Sequence, residues 1–382
     1  MIKDHHSELK GIVATFFCIF RGDFLPICSR FGIEKIKLLT YPMILIFGQY
    51  CILWNLLYRF DLSDLLAFAF NIVFLIGIHQ CLLVYLLMMI YYRDEFFNMF
   101  SYFDGMMDSK EASWAIRKKH LEENIKVALK WTKIFIIFVS IGGIIITSFD
   151  LFLTNFTAPM LFLIPGIPQS SLFFYPCNIT YQILLYFAIL EAIMGADAVI
   201  MTTICYFRGE NQAIVELIEE LNEPEVAQKN SKDILRTICK IHQTVTANSK
   251  TLLHCYWHVY FHKLITIILY LCTILYIFQS FNAKFVLAAL VCVAIVLSQI
   301  FILCFFGQLL QNSSEAIAEA LYMTKWYEMP IESQKNLLLL LTRFQRPAKI
   351  EAFGFGVISI YTFAQIIKAA ASYASIAYTV LQ

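Results

Sequence analysis

The sequence predicts an all-α membrane protein with seven transmembrane helices. Hydrophobic residues make up 59% of the 382 residues, and the mean hydropathy is +0.68. This composition is too apolar for a water-soluble domain of ordinary size. A bilayer core about 30 Å thick requires about 20 apolar residues per helix. Seven stretches meet this requirement, at residues 41–58, 65–92, 134–153, 179–207, 264–281, 285–310 and 353–381.

The positions of the basic residues predict the orientation of these spans. All but three of the 29 lysines and arginines precede the first span or follow spans two, four and six. Arg59 and Lys284 lie in the opposite connections, and Lys368 lies in the seventh span. Cytoplasmic loops carry an excess of basic residues. We therefore expect a cytoplasmic N-terminus and an extracellular C-terminus.

The charged connections themselves predict helices. Residues 112–130 place apolar side chains on one face, and residues 211–226 repeat this pattern until Glu223 and Pro224 interrupt it. A third helix is predicted from Ser231, a residue type that favours helix N-termini. Such amphipathic helices can pack together as a cytoplasmic anchor or lie on the bilayer surface, and both arrangements remain open.

Two acceptor sequences predict glycosylation on the outer side. Asn155 and Asn178 each begin an Asn-x-Thr triplet around the connection between spans three and four. This connection is extracellular in the predicted orientation.

Three ionisable residues fall inside predicted spans. They are Glu191 and Asp197 in span four and Lys368 in span seven. Each costs at least about 2.5 kcal/mol at the centre of a membrane helix. A pair between Lys368 and one of the two carboxylates would offset this cost. A purely structural pair and a role in ion permeation are both compatible with the pattern.

The outer halves of spans two to four predict a ligand pocket. Small residues and hydroxyls occur there beside large aromatic side chains, a mixture that suits a small volatile or lipid-like ligand. Ordinary helix packing is the alternative explanation. The candidate ligand-binding residues are Phe70, Phe74, Ser140, Gly143, Thr147, Tyr181, Leu185 and Ala188.

The last span predicts a pore. Residues 369–377 include five alanines and two serines, and so little bulk suits close packing around a symmetry axis. Thr379 and Gln382 would line an aqueous path, and Ile376 and Val380 would form a hydrophobic constriction.

Enzymatic, metal-dependent and nucleic-acid-binding functions lack their sequence signatures. We find no nucleotide-binding, metalloprotease or serine-hydrolase motif and no exposed basic stripe with interleaved aromatics. His254, His258 and His262 have the spacing of helical metal ligands, but no cysteine or acidic cluster accompanies them. No cofactor or metal site is predicted.

The C-terminal residues resemble the signature of the insect odorant receptors, and the resemblance extends over the seven-span topology with the N-terminus inside. The residues that carry it are Ala316, Ala320, Tyr322, Trp326, Arg343, Gln345, Pro347, Ser359, Phe363, Ile366, Lys368, Ser372 and Tyr373. The resemblance implies a non-selective cation channel gated by an odorant. In that family a tuning receptor and a shared co-receptor assemble as a heterotetramer.

The resemblance also implies roles for parts of this chain. The pocket residues named above correspond to an odorant site, with Ser140, Gly143 and Thr147 matching most closely. The constriction corresponds to Ile376, Thr379 and Val380, with Gln382 at the outer mouth. The chain lacks the long insertion of the co-receptor between spans four and five, which favours a tuning subunit. The implied location is the plasma membrane of a sensory dendrite.

These expectations divide the chain into four segments and leave two other receptor classes open. The segments are a cytoplasmic N-terminal segment at 1–40, spans one to six with the ligand pocket and cytoplasmic extensions at 41–310, a cytoplasmic anchor at 311–352 and the pore-lining helix at 353–382. A G-protein-coupled receptor also has seven spans, but its N-terminus is outside. A gustatory receptor has the same topology, but a Thr-Tyr pair is expected where this chain has Ser375 and Ile376.

Overall fold

The computed structural model describes residues 2–19, 32–58, 65–109, 113–153, 162–279, 286–352 and 356–381. This part of the chain is almost entirely helical. Its α-helices are α1 (Ile2–Ile19), α2 (Gly32–Tyr58), α3 (Leu65–Leu86), α4 (Arg93–Met107), α5 (Trp114–Leu153), α6 (Phe174–Glu219), α7 (Pro224–Lys229), α8 (Ser231–Gln279), α9 (Val286–Tyr322), α10 (Ile331–Phe344) and α11 (Ile360–Leu381). Strands β1 (Glu351–Ala352) and β2 (Gly356–Val357) form an antiparallel pair before α11.

Six of these helices contain stretches long and apolar enough to cross a membrane, by length and composition. They are α2, α3, α5, α6, α8 and α9. Helix α11 has 22 residues and packs against α8 and α9. It occupies the position of the predicted seventh span. The predicted all-α class is confirmed.

Four spans continue without a break into the charged connections. Helices α5, α6, α8 and α9 have 40, 46, 49 and 37 residues. At about 1.5 Å per residue, the 46 residues of α6 extend about 70 Å, more than twice the thickness of a bilayer core. The amphipathic patterns at 112–130 and from Ser231 therefore belong to the ends of membrane helices. The break at Glu223 is observed, and α7 begins at Pro224.

Helix α6 is the centre of the bundle. It packs against α5, α9 and α8, and also contacts α1, α2 and α3. Every residue from 194 to 207 is buried. A helix surrounded by other helices is apolar on all sides, which explains why no single apolar stripe is visible in this part of the sequence.

The helices of the charged connections pack into a bundle. We call this part, which contains α4, α7, α10 and the adjoining ends of α5, α6, α8 and α9, the charged half. Inside it the guanidinium of Arg117 on α5 binds Glu210 on α6, with Nη2 at 2.8 Å from Oε2 and Nε at 3.2 Å from both carboxylate oxygens. Ser231 on α8 donates a 2.9 Å hydrogen bond to Ser333 on α10. Of the two predicted arrangements, the packed anchor is the observed one.

Helix α1 docks onto the charged half through both apolar and polar contacts. Ile2, Leu9 and Val13 are buried, and Lys10 places its Nζ 2.7 Å from Oδ2 of Asp104 on α4. His6 lies between the Tyr206 hydroxyl and Asp104. Exposed ion pairs contribute little individually, so the buried apolar side chains stabilise this docking most.

Candidate ligand-binding cavity

A cavity of about 80 Å³ lies inside the membrane part of the bundle, between α3, α6, α8 and α9. Its walls are mostly aliphatic and aromatic. The lining residues are Phe74, Gly77, Gln80, Tyr186, Ile189, Leu190, Ile193, Ile267, Tyr270, Cys292, Ile295, Val296 and Gln299. Four helices therefore contribute to one apolar space, which is the usual setting for a small-molecule site in a helical bundle.

Two glutamines supply polar groups in this apolar lining. Gln80 on α3 is 7% exposed and Gln299 on α9 is 2% exposed. Among the described residues, no hydrogen bond joins either side-chain amide to a protein group. Neither amide has a fully enclosed polar atom without a partner, so both amides retain access to the cavity space. Both amides can therefore gain stability by bonding to a polar group of a ligand or to water.

Aromatic rings shape one wall of the cavity. Phe74 on α3 and Tyr186 on α6 meet edge to face, with ring centroids 5.1 Å apart and an interplanar angle of 90°. Gly77 lies one turn below Phe74, and a Cβ added there would approach the Tyr270 ring to 3.5 Å. The absence of a side chain at Gly77 thus preserves space between α3 and α8.

A buried ion pair lies one helical turn below the cavity. Asp197 follows Ile193 by four residues on α6, and Lys263 precedes Ile267 by four residues on α8. The Lys263 ammonium donates a hydrogen bond to Asp197, and the two side chains are 2% and 0% exposed. Residues four apart share a helix face. The pair therefore lies beyond the charged end of the cavity and joins α6 to α8, two of the helices that form its walls.

This pair corrects the prediction for the intramembrane charges. The sequence left open a pair between Lys368 and either Asp197 or Glu191, but Asp197 binds Lys263 instead. Lys368 is exposed on α11 and forms no ion pair with any residue that the structure describes. Lys263, counted from sequence among the cytoplasmic lysines, lies inside the bundle. Glu191 is half-buried on α6, one turn above Gly195.

Only one of the predicted pocket residues with a described side chain lines this cavity. That residue is Phe74. The side chains of Phe70 and Thr147 lie outside the described part of the structure. Ser140 on α5 hydrogen-bonds the Met194 sulfur at 3.7 Å. Gly143 lies directly against Leu190, so it supports the cavity wall from behind.

Three predicted residues lie on a different face of α6. Tyr181 donates a 2.8 Å hydrogen bond to the carbonyl of Ile44. The carbonyl of Ala188 accepts a 3.0 Å hydrogen bond from Tyr41. Leu185 packs on Gly48. We call this surface the contact face, since it holds α2 against α6. Its residues pack two helices and do not line the cavity.

The sequence did contain a signal for the residues that were missed. Gln80 and Gln299 are neutral amides within otherwise apolar spans, and such groups need a reason to be there. The predicted intramembrane polar residues, Glu191, Asp197 and Lys368, are all charged. Including amides would have identified two of the cavity-lining residues on α3 and α9.

The terminal helix exposes a polar stripe. Gln365, Lys368, Ser372, Ser375 and Thr379 recur every three or four residues, and all five are exposed. The opposite face, with Ile366, Ala370 and Ala374, is buried.

The predicted pore residues lie at the end of this stripe. Ile376 is 58% exposed, and the Thr379 hydroxyl donates to the Ile376 carbonyl at 2.8 Å. The side chain of Val380 and the whole of Gln382 lie outside the described residues.

The two predicted glycosylation sites differ in what the structure describes. Asn178 is fully buried; its amide nitrogen donates to the Phe174 carbonyl and its amide oxygen accepts from the Ile164 backbone, both at 2.7 Å. Because the Asn178 side chain is fully buried, its nitrogen has no room for a glycan in this fold, so the prediction for Asn178 conflicts with the structure. Asn155 lies outside the described residues.

The histidines of α8 pack among aromatic rings. Tyr92 contacts His254 and His258, with ring centroids 5.8 and 5.9 Å apart. Within the described parts of the chain, no cluster of three His, Cys, Asp or Glu side chains could hold a metal ion.

Similar proteins place this fold in a family of sensory receptors. A family profile described as "7tm Odorant receptor" matches residues 64–371. Odorant receptor 49a of Drosophila melanogaster is 30% identical over 37% of this chain and 35% of its own length. Odorant receptor 22c of the same species is 36% identical over 22% of this chain and 21% of its own length. The matched segments thus span about a third or less of these relatives.

Solved structures support the same fold over the whole chain. The insect olfactory receptor OR5 from Machilis hrabei, solved in complex with eugenol, superposes with a TM-score of 0.79, 14% identity and coverage of 98% of this chain and 99% of the other. A second structure of OR5 gives a TM-score of 0.77. The predicted seven-helix membrane fold is confirmed. Because the family profile covers most of the chain, this protein belongs to the seven-transmembrane odorant receptor family.

Proposed function

We propose that this chain is an odorant-tuning subunit. It binds a small apolar volatile in the cavity between α3, α6, α8 and α9. With a co-receptor it forms a heterotetrameric, non-selective cation channel. The observation that carries this proposal is the cavity itself, an apolar space with two buried amides that lack described partners.

The lining favours ligands with a hydrocarbon body and one polar atom. Burial of each methylene contributes about 0.8 kcal/mol, and the aliphatic and aromatic walls supply the matching surface. A hydroxyl or carbonyl oxygen can accept from the Gln80 or Gln299 amide. Alcohols, esters and small aromatic compounds meet both requirements, whereas charged ligands would be desolvated without a countercharge.

The cavity volume makes binding and movement interdependent. Small-molecule sites usually have volumes of roughly 300–1,000 Å³, and this cavity has about 80 Å³. A volatile with ten heavy atoms therefore enters only if lining side chains or helices shift. A ligand that fits the expanded cavity better than the closed one moves the population toward the expanded state. This differential affinity is the proposed source of gating energy.

The exposed stripe of α11 supports the pore part of the proposal. Four such helices around an axis would direct Ser372, Ser375 and Thr379 toward a shared aqueous path, with their apolar sides against α8 and α9. Ile376 would narrow that path, together with Val380, and Gln382 would lie at its outer mouth. A hydrophobic ring of this kind gates by excluding water.

The location and covalent modification follow from the same proposal. An odorant-gated channel must lie in the plasma membrane, and in a sensory neuron the dendrite is where ligand arrives. Of the two acceptor asparagines, Asn155 is the one we propose as glycosylated.

Whole-cell recording tests the function directly. Cells expressing this chain alone, a co-receptor alone or both would be challenged with a panel of aromatic, ester and alcohol volatiles. We expect rapid, nucleotide-independent cation current only in cells that express both chains. If cells that express both chains give no current, with both chains detected at the surface and a broad panel tested, the proposal is contradicted.

Substitution of the buried amides tests the site. Gln80→Leu and Gln299→Leu should each raise the half-maximal concentration of an oxygen-containing ligand up to about tenfold, the equivalent of one hydrogen bond of about 1.4 kcal/mol. Gln308→Leu, on α9 outside the cavity, is the matched control. Equal effects of all three variants would place the ligand elsewhere.

A further inference from the structure

A second cavity, of about 270 Å³, lies in the charged half of the molecule. It is formed by α6, α8, α9 and the end of α10 with the segment after it. Its lining residues are Phe207, Asn211, His242, Val245, Thr246, Ser249, Lys250, Leu253, Leu310, Ser314, Arg343, Arg346, Pro347 and Ala348. We call it the basic cavity, because its charged side chains are all cations.

Three cations around this space have no anionic partner. Lys250, Arg343 and Arg346 form no ion pair with any carboxylate in the described chain. No aspartate or glutamate belongs to the lining. The neighbouring Glu315 carboxylate is bonded by Gln311 at 2.8 Å. Cations gathered without counterions produce a local positive potential that attracts anions.

The interior of the cavity offers uncharged donors. Asn211 is 4% exposed and donates one amide hydrogen to Ser313 at 3.1 Å, which leaves its second amide hydrogen for a ligand. Ser314 is positioned by the Ala348 backbone, whose N–H donates to its hydroxyl oxygen at 2.9 Å. This contact holds the segment after α10 against α9 and leaves the Ser314 hydroxyl hydrogen available. Hydrogen bonds from neutral donors to an anion are charge-assisted and therefore stronger than those between neutral groups.

Histidine does not add a fixed charge to this cluster. Burial, together with the nearby Arg343 guanidinium, lowers the pKa of His242 to about 4. The ring packs on Phe344 with centroids 4.2 Å apart. At cytoplasmic pH His242 is neutral, so Lys250, Arg343 and Arg346 supply the positive charge.

The basic cavity is distant from the membrane part of the bundle. Asn211 lies about 20 Å beyond Asp197 along α6, at about 1.5 Å per residue. The part of α6 that precedes Asn211 is already longer than the roughly 20 residues that a bilayer core needs. The cavity is therefore accessible from water on the charged side, which favours a dissolved ligand over a lipid headgroup.

We propose that the basic cavity binds a small anion carrying phosphate groups. Arginine guanidinium groups match phosphate geometry with two parallel hydrogen bonds, and Arg343 and Arg346 come from the end of α10 and the turn after it. Lys250 comes from α8. A bound polyphosphate would thus connect α8 to α10 in the packed anchor.

Binding to the purified full-length chain tests this site. The probes are inorganic phosphate, inositol 1,4,5-trisphosphate and phosphatidylcholine vesicles containing phosphatidylinositol 4,5-bisphosphate. The test variant is Lys250→Gln/Arg343→Gln/Arg346→Gln. The control is Lys229→Gln/Arg236→Gln/Lys335→Gln, which removes the same charge from exposed positions outside the cavity. Arg346→Gln alone serves if the test variant does not fold.

We expect saturable binding of inositol trisphosphate that weakens at least tenfold in the test variant, weakens less in Arg346→Gln and is unchanged in the control. Binding of the vesicles alone, with the same dependence on the three cations, would support the site and make a lipid its source of phosphate. Absence of saturable binding to every probe would overturn the proposal. So would equal losses in the test and control variants, since they would indicate net charge alone.

Discussion

Helix α6 presents two faces to its neighbours, and they are packed differently. On the contact face, Tyr181 and Ala188 take part in hydrogen bonds with α2, and Leu185 fills the space above Gly48. On the cavity face, Tyr186 and Ile193 border an empty apolar space. Side chains on the contact face are packed against α2, whereas those on the cavity face have room for further contacts. A ligand can add contacts only to the second face.

The largest expected effect concerns the charged end of the cavity face. Lys263→Met would leave the buried Asp197 carboxylate without its cation. Removal of one partner from a buried ion pair costs about 3–5 kcal/mol. We expect a marked fall in thermal stability, measured by size-exclusion chromatography of heated detergent extracts.

A double variant checks the cause of that loss. Asp197→Leu/Lys263→Met replaces both charges by apolar side chains and should regain most of the lost stability. If the double variant loses as much stability as the two single variants together, the pair does not act as a unit.

Filling the cavity should strongly weaken the ligand response while the fold persists. Ile193→Trp places a large ring in a space of about 80 Å³. We expect the half-maximal ligand concentration to rise about 100-fold, the equivalent of about 2.8 kcal/mol. Leu184→Trp, at an exposed position of the same helix, is the control. A normal response from Ile193→Trp would show that the ligand binds elsewhere.

A glycine comparison separates stability from ligand binding. A Cβ at Gly48 would lie 2.9 Å from a terminal methyl group of the buried Leu185 side chain, which would have to move, whereas a Cβ at Gly77 meets only Tyr270, at 3.5 Å. Gly48→Ala should lower the free energy of unfolding by about 1–3 kcal/mol without changing potency in correctly delivered channels. Gly77→Ala should lower potency and leave the free energy of unfolding unchanged. If the two variants change stability and potency in the same way, the two faces of α6 do not differ in function.

The smallest expected effect is the loss of one hydrogen bond on the contact face. Tyr181→Phe removes the bond to Ile44 and should cost about 0.5–1.5 kcal/mol of stability. Potency should stay the same, because Tyr181 does not line the cavity. Tyr175→Phe, at an exposed position near the start of α6, provides the reference. A change in potency for Tyr181→Phe alone would extend the ligand site to the contact face.

Hydropathy and charge were sufficient to predict the helical membrane fold. Span boundaries depend on the length of apolar runs, and the break before Pro224 depends on local backbone chemistry. These signals are local in sequence. The continuity of α8 from Ser231 to Gln279 was less visible, because its composition changes from amphipathic to apolar without a change in helix geometry.

The site was harder to predict because it depends on helix rotation. A shift of one position turns a side chain by about 100° around the helix axis. Tyr181, Leu185 and Ala188 are therefore close in sequence to Tyr186 and Ile193 but face another neighbour. Helix α6 is apolar on all sides where it is buried, so its sequence does not indicate which side borders a cavity. The partner of Asp197 was equally hard to predict, because it is determined by how α6 packs against α8.

The Asp197–Lys263 pair also has a consequence for synthesis of the protein. The two residues are 66 positions apart in the chain. At about 5–20 residues per second, Asp197 emerges roughly 3–13 s before Lys263. During this interval α6 carries an unpaired carboxylate that disfavours its insertion into lipid. We therefore expect α6 to be stable in the membrane only after α8 has been made, so truncation before Lys263 should leave the earlier helices exposed to quality control.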